Sequence, residues 1–510
     1  MVIRADAGAR MGTGHVMRSL ALAQGWQDSG GEVLFVTATD SATVEDRLRT
    51  ENMQLAAAPH PPGSDEDARH TAQLAQSRGA QWIVVDGYQF GGNYQRALKE
   101  AGAKLLAIDD HGHADHYWAD FVLNQNPYAN EASYSSREPY TRLLLGARYA
   151  LLRREFSAWR DWQRTIPQVA RTVLVSLGGG DPGGGDLGGG DPGGVILKLV
   201  AAIEQLGIDD LEVVLVLEVK SPCYKELPAA LDRSRVRFRL QEVVSDMPKV
   251  MAGADLAIGA AGGMSWERAF MGLPSAVLVL ADNQKPVAEH LASAAVATNL
   301  GWHQDIDSRE LGRQLDELIR DPHKRETMSA AGQRLVDGEG VDRLMMHLCG
   351  SRLRLRNARR DDRRLIWQWA NESTTRAMSF QEAHISWETH VEWFEGKLRD
   401  PGALIYLGID EHDTPIGQVR FDSSEDTATI SVAVAADQRA AGYGTLLITL
   451  GVEEAFGRLG CAKVSAFIKA HNIASIKAFQ KCGFEKVETC RRGEHMALHY
   501  QLTRTTRARK

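Results

Sequence analysis

The 510-residue chain has few cysteines: Cys223, Cys349, Cys461, Cys482 and Cys490 are five, and they are widely scattered. That pattern excludes a disulfide framework and paired zinc knuckles, and it fits a reducing compartment. Long uncharged apolar runs are also missing. Even the apolar stretch 252–281 is interrupted by Asp255, Glu267 and Arg268, so no membrane span or membrane partner is expected. An excess of cations is absent as well: 59 Lys+Arg stand against 66 Asp+Glu, a net −7. Binding of nucleic acid needs a basic surface, so no such partner is expected, and the basic end 504–510 reads as a solvated terminus. The opening residues Met1–Asp6 carry charge at once, with no apolar h-region of a signal peptide. The expected location is the cytoplasm.

What is present is an ordinary globular composition, 44% hydrophobic and 25% charged. Its length corresponds to roughly three domains. Over about the first 340 residues, short apolar runs alternate with longer amphipathic ones. Val2–Ala5, Glu32–Thr37, Trp82–Asp86 and Lys104–Asp109 read as strands, with helices at His15–Ser29, Ala42–Asn52, Asp65–Arg78 and Asn93–Gly102. The rhythm restarts at Thr172–Leu177 and continues through Glu212–Leu217, Val236–Leu240, Asp255–Gly259 and Ser275–Leu280. This β-α-β alternation implies parallel sheets covered by helices on both faces. Two Rossmann-like halves, 1–155 and 156–348, are expected with a cleft between them. Residues 352–503 differ: strand candidates in series precede a glycine turn, a helix, a strand and a further helix. They imply a separate mixed α/β domain. Residues 177–194 carry a tandem ten-residue repeat, LGGGDPGGGD followed by LGGGDPGG, which by composition is a flexible loop.

The first strand leads into Arg4-Ala-Asp6-Ala-Gly8-Ala-Arg10-Met-Gly12-Thr-Gly14-His15. Glycines between a strand and a helix let backbone N–H groups approach a diphosphate, and the helix N-terminus adds partial positive charge. His15 stands in that field as a candidate base. In the second half, Gly259-Ala-Ala-Gly262-Gly263-Met-Ser265-Trp-Glu267 follows a strand, so Gly262 and Gly263 are phosphate-facing candidates. Glu267 is a candidate acceptor for a ribose diol, Ser265 lies between, and Gln284 reaches toward the same nucleotide. The segment Asp109-Asp110-His111-Gly-His113-Ala-Asp115-His116 has metal-ligand residue types, yet solvated histidines are the simpler reading and no metal is expected.

The run Arg4-x-Asp6-x-Gly8-x-x-x-Gly12-x-Gly14-His15-x-x-Arg18 closely resembles the start of the UDP-sugar hydrolases of pseudaminic acid biosynthesis. Further matches are Val85-Asp86-Gly87-Tyr88, Ile108-Asp109-Asp110, Leu123-Asn124-Gln125-Asn126 and Leu145-Gly146-x-x-Tyr149-x-Leu151-Leu152-Arg153. The resemblance covers about the first 340 residues. It implies a GT-B-like fold in which water replaces the sugar acceptor, with His15 as the general base. The UDP-sugar contacts it implies are Asp6, Gly12, Gly14, Arg18, Asp86, Tyr149, Arg153 and Gly178, with Gly262, Gly263, Ser265, Glu267 and Gln284.

In the last domain, Asp437-Gln438-Arg439-Ala-Ala-Gly442-Tyr443-Gly444 joins a strand to a helix and presents successive N–H groups to a pyrophosphate. This element resembles the acetyl-CoA loop of GNAT acetyltransferases, and His471-Asn472-x-x-Ser475-x-x-x-Phe479-x-x-Cys482-Gly483-Phe484 resembles their closing helix. The resemblance implies acetyl-CoA as cosubstrate, held by Val432, Val434, Gln438, Arg439, Gly442, Tyr443, Gly444, Asn472, Ser475 and Phe479. Many members carry a tyrosine at the position of Phe479, which protonates the leaving thiolate. Phe479 has no proton to give. The aromatic segment 380–388 and Trp393 are expected to line the acceptor pocket. Together the two resemblances imply an N-acetyltransferase and a hydrolase acting on consecutive UDP-sugar intermediates. The alternatives are a glycosyltransferase in the first half and a catalytically silent acyl-CoA-binding or interaction module in the last domain.

Overall fold

A computed structural model describes residues 1–504 except 9–11, 40, 161, 178–193, 218–226, 228–230, 233, 242–243, 245 and 351–352. Gly178, Cys223, the glycine repeat from 178 onward and the basic end beyond Arg504 lie outside the described residues. The chain divides into two compact units, Met1–Met345 and Met346–Lys510.

The first unit holds two parallel sheets. One comprises β1 (Val2–Ala5), β2 (Leu34–Thr37), β3 (Gln54–Ala57), β4 (Ile83–Asp86), β5 (Leu105–Ile108), β6 (Phe121–Asn124) and β7 (Arg142–Leu145), ordered β3-β2-β1-β4-β5-β6-β7. Every residue of β1, β2, β4, β5 and β6 is buried, as required of strands covered by helices on both faces. Arg4 is among them, fully buried, and its guanidinium donates to Asp67 (3.0 Å) and to Asp6. An unpaired guanidinium there would cost several kcal/mol, on the order of a broken buried ion pair. The second sheet comprises β8 (Thr172–Ser176), β9 (Glu212–Val216), β10 (Arg237–Gln241), β11 (Leu256–Ala260), β12 (Ser275–Val279) and β13 (Ala297–Trp302), ordered β10-β9-β8-β11-β12-β13. Its core is aliphatic: Val173, Val175, Leu215, Ile258 and Leu278 pack with Leu199, Ile203 and Leu315.

After the second sheet the chain returns to the first half. A Cβ on Gly25 would meet Val341 Cγ1 at 2.3 Å, and one on Gly340 would meet the Ala150 carbonyl at 2.2 Å. Both glycines therefore permit a backbone approach that any side chain would block.

The second unit is a mixed sheet of β14 (Arg354–Asn357), β15 (Ala403–Ile409), β16 (Pro415–Ser424), β17 (Thr427–Val434), β18 (Lys463–Lys469), β19 (Glu485–Arg492) and β20 (His495–Thr503). The order is β14-β15-β16-β17-β18-β20-β19. Strands β17 and β18 are parallel and pair only from Thr427↔Lys463 to Thr429↔Ser465. Beyond that register they diverge, leaving the later part of β17 without a neighbour on that side. Val419 and Phe421 of β16 pack with Leu447, Ile448 and Val452 of the Tyr443–Glu454 helix on one face of the sheet. Phe394 of the Trp387–Arg399 helix packs on Ile405, Leu407 and Ile409 on the other.

Most helices begin and end within a residue or two of the sequence reading; the Ile473–Lys481 helix matches it at both ends. The helix after the last glycine turn, Tyr443–Glu454, continues as a π-helical turn, Ala455–Leu459. Strands β3, β6, β7, β13, β19 and β20 were not among the strands expected; β3 and β19 carry weak apolar patterns, whereas β6 is fully buried.

Candidate functional site

In an open parallel sheet, ligands bind beyond the carboxyl ends of the strands where the strand order reverses. In the first sheet that point lies between β1 and β4, and both lead to candidate residues. β1 runs into the glycine loop, where Gly8 and Gly12 exchange backbone hydrogen bonds and Gly12 has φ +75°. The Gly14–Asp28 helix follows, carrying His15, Arg18 and Ser19. A Cβ built on Gly14 meets nothing within 4 Å, so open space faces the backbone there. β4 ends at Asp86.

These elements assemble a charged network. His15 Nδ1 lies 2.6 Å from Asp86 Oδ1. A carboxylate only accepts, so Nδ1 carries the hydrogen and Nε2 the lone pair. Asp86 is completely buried and also accepts from Arg18 Nε (2.8 Å), Arg18 Nη2 (2.6 Å) and Ser19 Oγ (3.0 Å). Burial alone raises its pKa, but the Arg18 guanidinium and His15 outweigh that and hold it down to about 2. Arg18 Nη1 reaches Asp110 at 2.7 Å, and Asp110 also accepts from Tyr88 Oη (3.0 Å) and Asn126 Nδ2 (3.0 Å). The Tyr88 ring meets His15 edge-on at 5.1 Å. Burial and Asp110 push the Tyr88 hydroxyl upward, so it remains a neutral donor.

Asp86 thus positions His15: both its oxygens already accept hydrogen bonds from His15, Arg18 and Ser19. Asp6 is 4% exposed and accepts from Arg4, the Ala38 N–H (2.7 Å) and Gln89 Nε2 (3.1 Å), which fixes the strand end rather than presenting a free carboxylate. Arg18 likewise acts within the network.

The second sheet reverses between β8 and β11. Beyond β11, Gly262 and Gly263 are unencumbered: the nearest atom to a Cβ on Gly262 is Gln284 Nε2 at 3.9 Å, and none lies within 4 Å of one on Gly263. Glu267, on the Met264–Phe270 helix, accepts from Arg153 Nη2 at 2.9 Å through Oε1. Its other oxygen, Oε2, is buried and has no hydrogen-bond partner, a vacancy in acceptor capacity that a ligand hydroxyl would fill. Gln284 is 8% exposed; its Oε1 accepts from the Leu280 N–H at 3.1 Å, leaving the amide nitrogen toward Gly262. Ser265 is buried and accepts from the equally buried Arg268 (3.0 Å), which makes it a support. Tyr149 is also a support, 7% exposed and against the Arg148 guanidinium. The two halves meet at the network: Asn283 Nδ2 lies 3.4 Å from Tyr88 Oη.

Tyr88, Asp110, Asn126 and Asn283 were not among the site residues read from sequence, although the first three stand inside quoted motifs. Only tertiary contact distinguishes them. The expected solvated segment 109–116 is instead largely anchored. Asp109 is buried and accepts from the N–H groups of His111 and Gly112 (2.7 Å each) and from Tyr117, with His113 Nδ1 2.6 Å away. Among the described residues no group of three or more His, Cys, Asp or Glu side chains is arranged to hold a metal ion.

In the second unit, Gly442 has φ +90° and caps the Tyr443–Glu454 helix, with open space where its Cβ would be. A Cβ on Gly444 would touch only Val434 Cγ2, at 3.7 Å. The loop therefore fits a diphosphate laid against helix N–H groups beside the diverging β17, which carries Val432 and Val434. Tyr443 is half-buried beside it, and Gln438 is also half-buried and donates to Asp437 (3.2 Å). Arg439 donates to Glu372 at 2.6 Å and to Thr375 Oγ1 at 3.1 Å, so it ties the loop to the Ser373–Met378 helix. Asn472 caps its helix by accepting from the Ser475 N–H (3.1 Å). Phe479 is 4% exposed and packs edge-on against Phe484 in the core.

Residues 352–485 match the acetyltransferase (GNAT) domain family, and residues 199–342 match the glycosyltransferase family 28 C-terminal domain. A spore coat polysaccharide biosynthesis protein of Bacillus subtilis is 27% identical over 67% of this chain and 95% of its own length. An uncharacterised protein of Methanocaldococcus jannaschii is 21% identical over 97% of this chain and 98% of its own. The UDP-2,4-diacetamido-2,4,6-trideoxy-beta-L-altropyranose hydrolase of Campylobacter jejuni is 27% identical over 158 residues, 31% of this chain and 53% of that protein. That stretch is shorter than the 340 residues over which the motifs extend. Among solved structures, spermidine N-acetyltransferase from Vibrio cholerae in complex with CoA and spermine is 19% identical (TM-score 0.29), covering 30% of this chain and 97% of its own. The corresponding values for AAC(6')-Ib in complex with ribostamycin and coenzyme A are 21%, 0.29, 31% and 97%. The chain is thus homologous to the hydrolase and the spore coat protein and ends in a GNAT domain. Its fold is mixed α/β: parallel-sheet Rossmann-like halves, the second GT-B-like, followed by the GNAT fold. Among the described residues no helix is long and apolar enough to cross a membrane.

Proposed function

We propose that the protein is a bifunctional cytoplasmic enzyme acting on consecutive nucleotide-sugar intermediates of a nonulosonate pathway such as that of pseudaminic acid. The C-terminal domain acetylates the 4-amino group of a UDP-linked 4-amino-4,6-dideoxy sugar with acetyl-CoA. The N-terminal unit hydrolyses the resulting UDP-2,4-diacetamido-2,4,6-trideoxy-altropyranose to UDP and free sugar. The observation that carries the reading is the His15–Asp86 pair at the strand-order reversal, 2.6 Å apart.

In this mechanism, His15 Nε2 takes a proton from water while Nδ1–H stays on the Asp86 carboxylate, which stabilises the imidazolium that forms. The water oxygen forms the new bond to the anomeric carbon, and the C–O bond to UDP breaks with its electron pair leaving on the diphosphate. Backbone N–H groups at Gly14 and at Gly262–Gly263 offset that charge, and the free Glu267 Oε2 accepts from the ribose. In the C-terminal domain, the sugar amine attacks the thioester carbonyl, the thiolate leaves and the amine loses a proton. Phe479 takes no part in either proton movement.

The glycosyltransferase family 28 match favours a second reading, in which the first unit transfers the sugar to an acceptor rather than to water. Mass spectrometry of the products formed from the UDP-diacetamido sugar without acceptor separates the two. Free sugar plus UDP supports hydrolysis; an intact substrate overturns it. Thiol release from acetyl-CoA with the 4-amino sugar nucleotide tests the other domain against a silent acyl-CoA-binding role.

A further inference from the structure

Buried guanidinium groups almost always find a carboxylate or several carbonyls. Arg420, in the middle of β16, is an exception. It makes no hydrogen bond or ion pair with the described residues, its Nε is buried without a partner, and its guanidinium lies 4.9 Å from the Trp393 ring. The nearby Asp422 does not serve it, because that carboxylate is held by Lys397 at 2.8 Å. Burial lowers the Arg420 pKa, the Asp422 carboxylate offsets part of that at a distance, and the neighbouring Arg376 lowers it further. Arg376 also has a buried, unpartnered Nε; its remaining donors go to the Gln381 carbonyl (3.0 Å) and Ser379 Oγ (3.1 Å), neither of them charged. Two residues along β16 on the same face, Gln418 is 7% exposed and its Oε1 is unpartnered too. Two neighbouring cations, each half-buried with its Nε buried and unpartnered, and a buried amide thus stand with no direct ion pair to a carboxylate.

Their position identifies the side of the domain they serve. Val419 and Phe421 point to the face covered by the Tyr443–Glu454 helix, whose N-terminus is the acetyl-CoA loop. Gln418 and Arg420 point to the opposite face, beneath the Trp387–Arg399 helix and the aromatic segment before it. Arg420 pairs across the sheet with Ser431, which lies beyond the last β17–β18 pair at Thr429 and so beside the opening between those strands. Ser431 is three residues short of Val434, about 10 Å along β17 from the loop that suits the CoA diphosphate.

We propose that Arg420 and Arg376, with Gln418 and Trp393, form an anion-recognition subsite that takes the diphosphate of a nucleotide-linked amine acceptor. The inference rests on the acetylation reading and adds the basis of its selectivity. A guanidinium fork matches phosphate oxygens bidentately, and the indole face keeps it in place before ligand arrives. The amide of Gln418 can present either end to the rest of the nucleotide. Selection of a nucleotide-linked amine over the free amino sugar then follows from charge.

The test uses the full chain, initial rates of thiol release and Arg420→Met, which keeps the apolar stem on Trp393. The KM for the UDP-linked 4-amino sugar is expected to rise at least about tenfold, and the inhibition constant of UDP, competing with the acceptor, by a similar factor. The KM for acetyl-CoA, turnover at saturating acceptor and melting temperature are expected to change little, and Arg420→Lys is expected to recover part of the loss. A rise in the acetyl-CoA KM with the acceptor KM unchanged would assign the guanidinium to the CoA diphosphate and overturn the proposal. Unchanged constants for both substrates in a folded variant would also overturn it. Equal use of linked and unlinked amines by the wild type would overturn this proposal alone. No thiol release with either amine would overturn the acetylation reading and this proposal with it.

Discussion

The two units prepare their candidate sites in opposite ways. In the first, the polar groups at the strand-order reversal are paired before any ligand arrives: Asp86 binds His15, Arg18 and Ser19, and Arg18 passes on to Asp110. In the second, Arg420 and Arg376 have no ion pair with a carboxylate and each leaves a buried Nε unpartnered, and the glycine loop offers open backbone. A closed network orients one proton acceptor and resists rearrangement. An open set of donors gains most when an anion completes it. The contrast teaches that one site is organised around a proton and the other around charged ligands.

The sharpest way to break the contrast is to remove the proton acceptor. His15→Ala is expected to lower UDP release by about 10² to 10⁴-fold in turnover with nucleotide affinity nearly intact, and to leave acetyl transfer unchanged. Turnover close to wild type would reduce His15 to a structural role. The matching change in the second unit is Gly442→Val. At φ +90° a branched residue is strained by about 1–3 kcal/mol and its side chain occupies the space the diphosphate needs. Acetyl transfer is expected to fall at least about tenfold while hydrolysis persists, as read by thiol release and UDP release on the same preparation.

A subtler change tests whether Asp86 acts through His15. Asp86→Asn is expected to lower hydrolytic turnover by about 10 to 100-fold, less than loss of His15 itself, because the neutral amide no longer stabilises the imidazolium. The same carboxylate links folding to acid. Its folded pKa, about 2, lies below the ordinary value, so the stability it contributes is complete above about pH 4 and is lost as pH falls toward 2. Urea melts at pH 7 and pH 3 are expected to show a smaller acid loss for Asp86→Asn than for the wild type. The smallest expected effect is that of Glu267→Gln: a rise of a few-fold in the KM for the UDP-sugar with kcat preserved, since one acceptor oxygen facing the ribose becomes a weaker partner. A fall in kcat alone would place Glu267 in the chemistry instead.

Much of this organisation was legible in sequence. The glycine runs at 8–14, 262–263 and 442–444 mark where a backbone must turn tightly or stay bare, and each stands at a strand-to-helix junction in the structure. The buried parallel strands announce themselves as short apolar runs. For two of the missed strands edge position relaxes the pattern: β19 is exposed along nearly its whole length, and β3 is only partly buried. For the candidate site, His15 could be chosen because one histidine follows one glycine loop. Asp86 could be quoted but not paired with His15, since no spacing reports that residue 86 lies beneath residue 15. Phe479 was read as a departure from a catalytic tyrosine, and only the structure places its ring in the core against Phe484.

By itself, the sequence determined the alternation of strands and helices, the separate mixed domain after the two halves, and the loops where phosphate groups fit. These follow from local periodicity and from the conformational range of glycine, both properties of neighbouring residues. Only the tertiary structure decided which charges are paired. It brings Asp86 to His15 across 71 positions, sets Asn283 of one half beside Tyr88 of the other, and leaves Arg420 without a carboxylate among partners that any surface could have supplied. Pairing depends on distance and on the loss of water, and both arise only when remote segments pack.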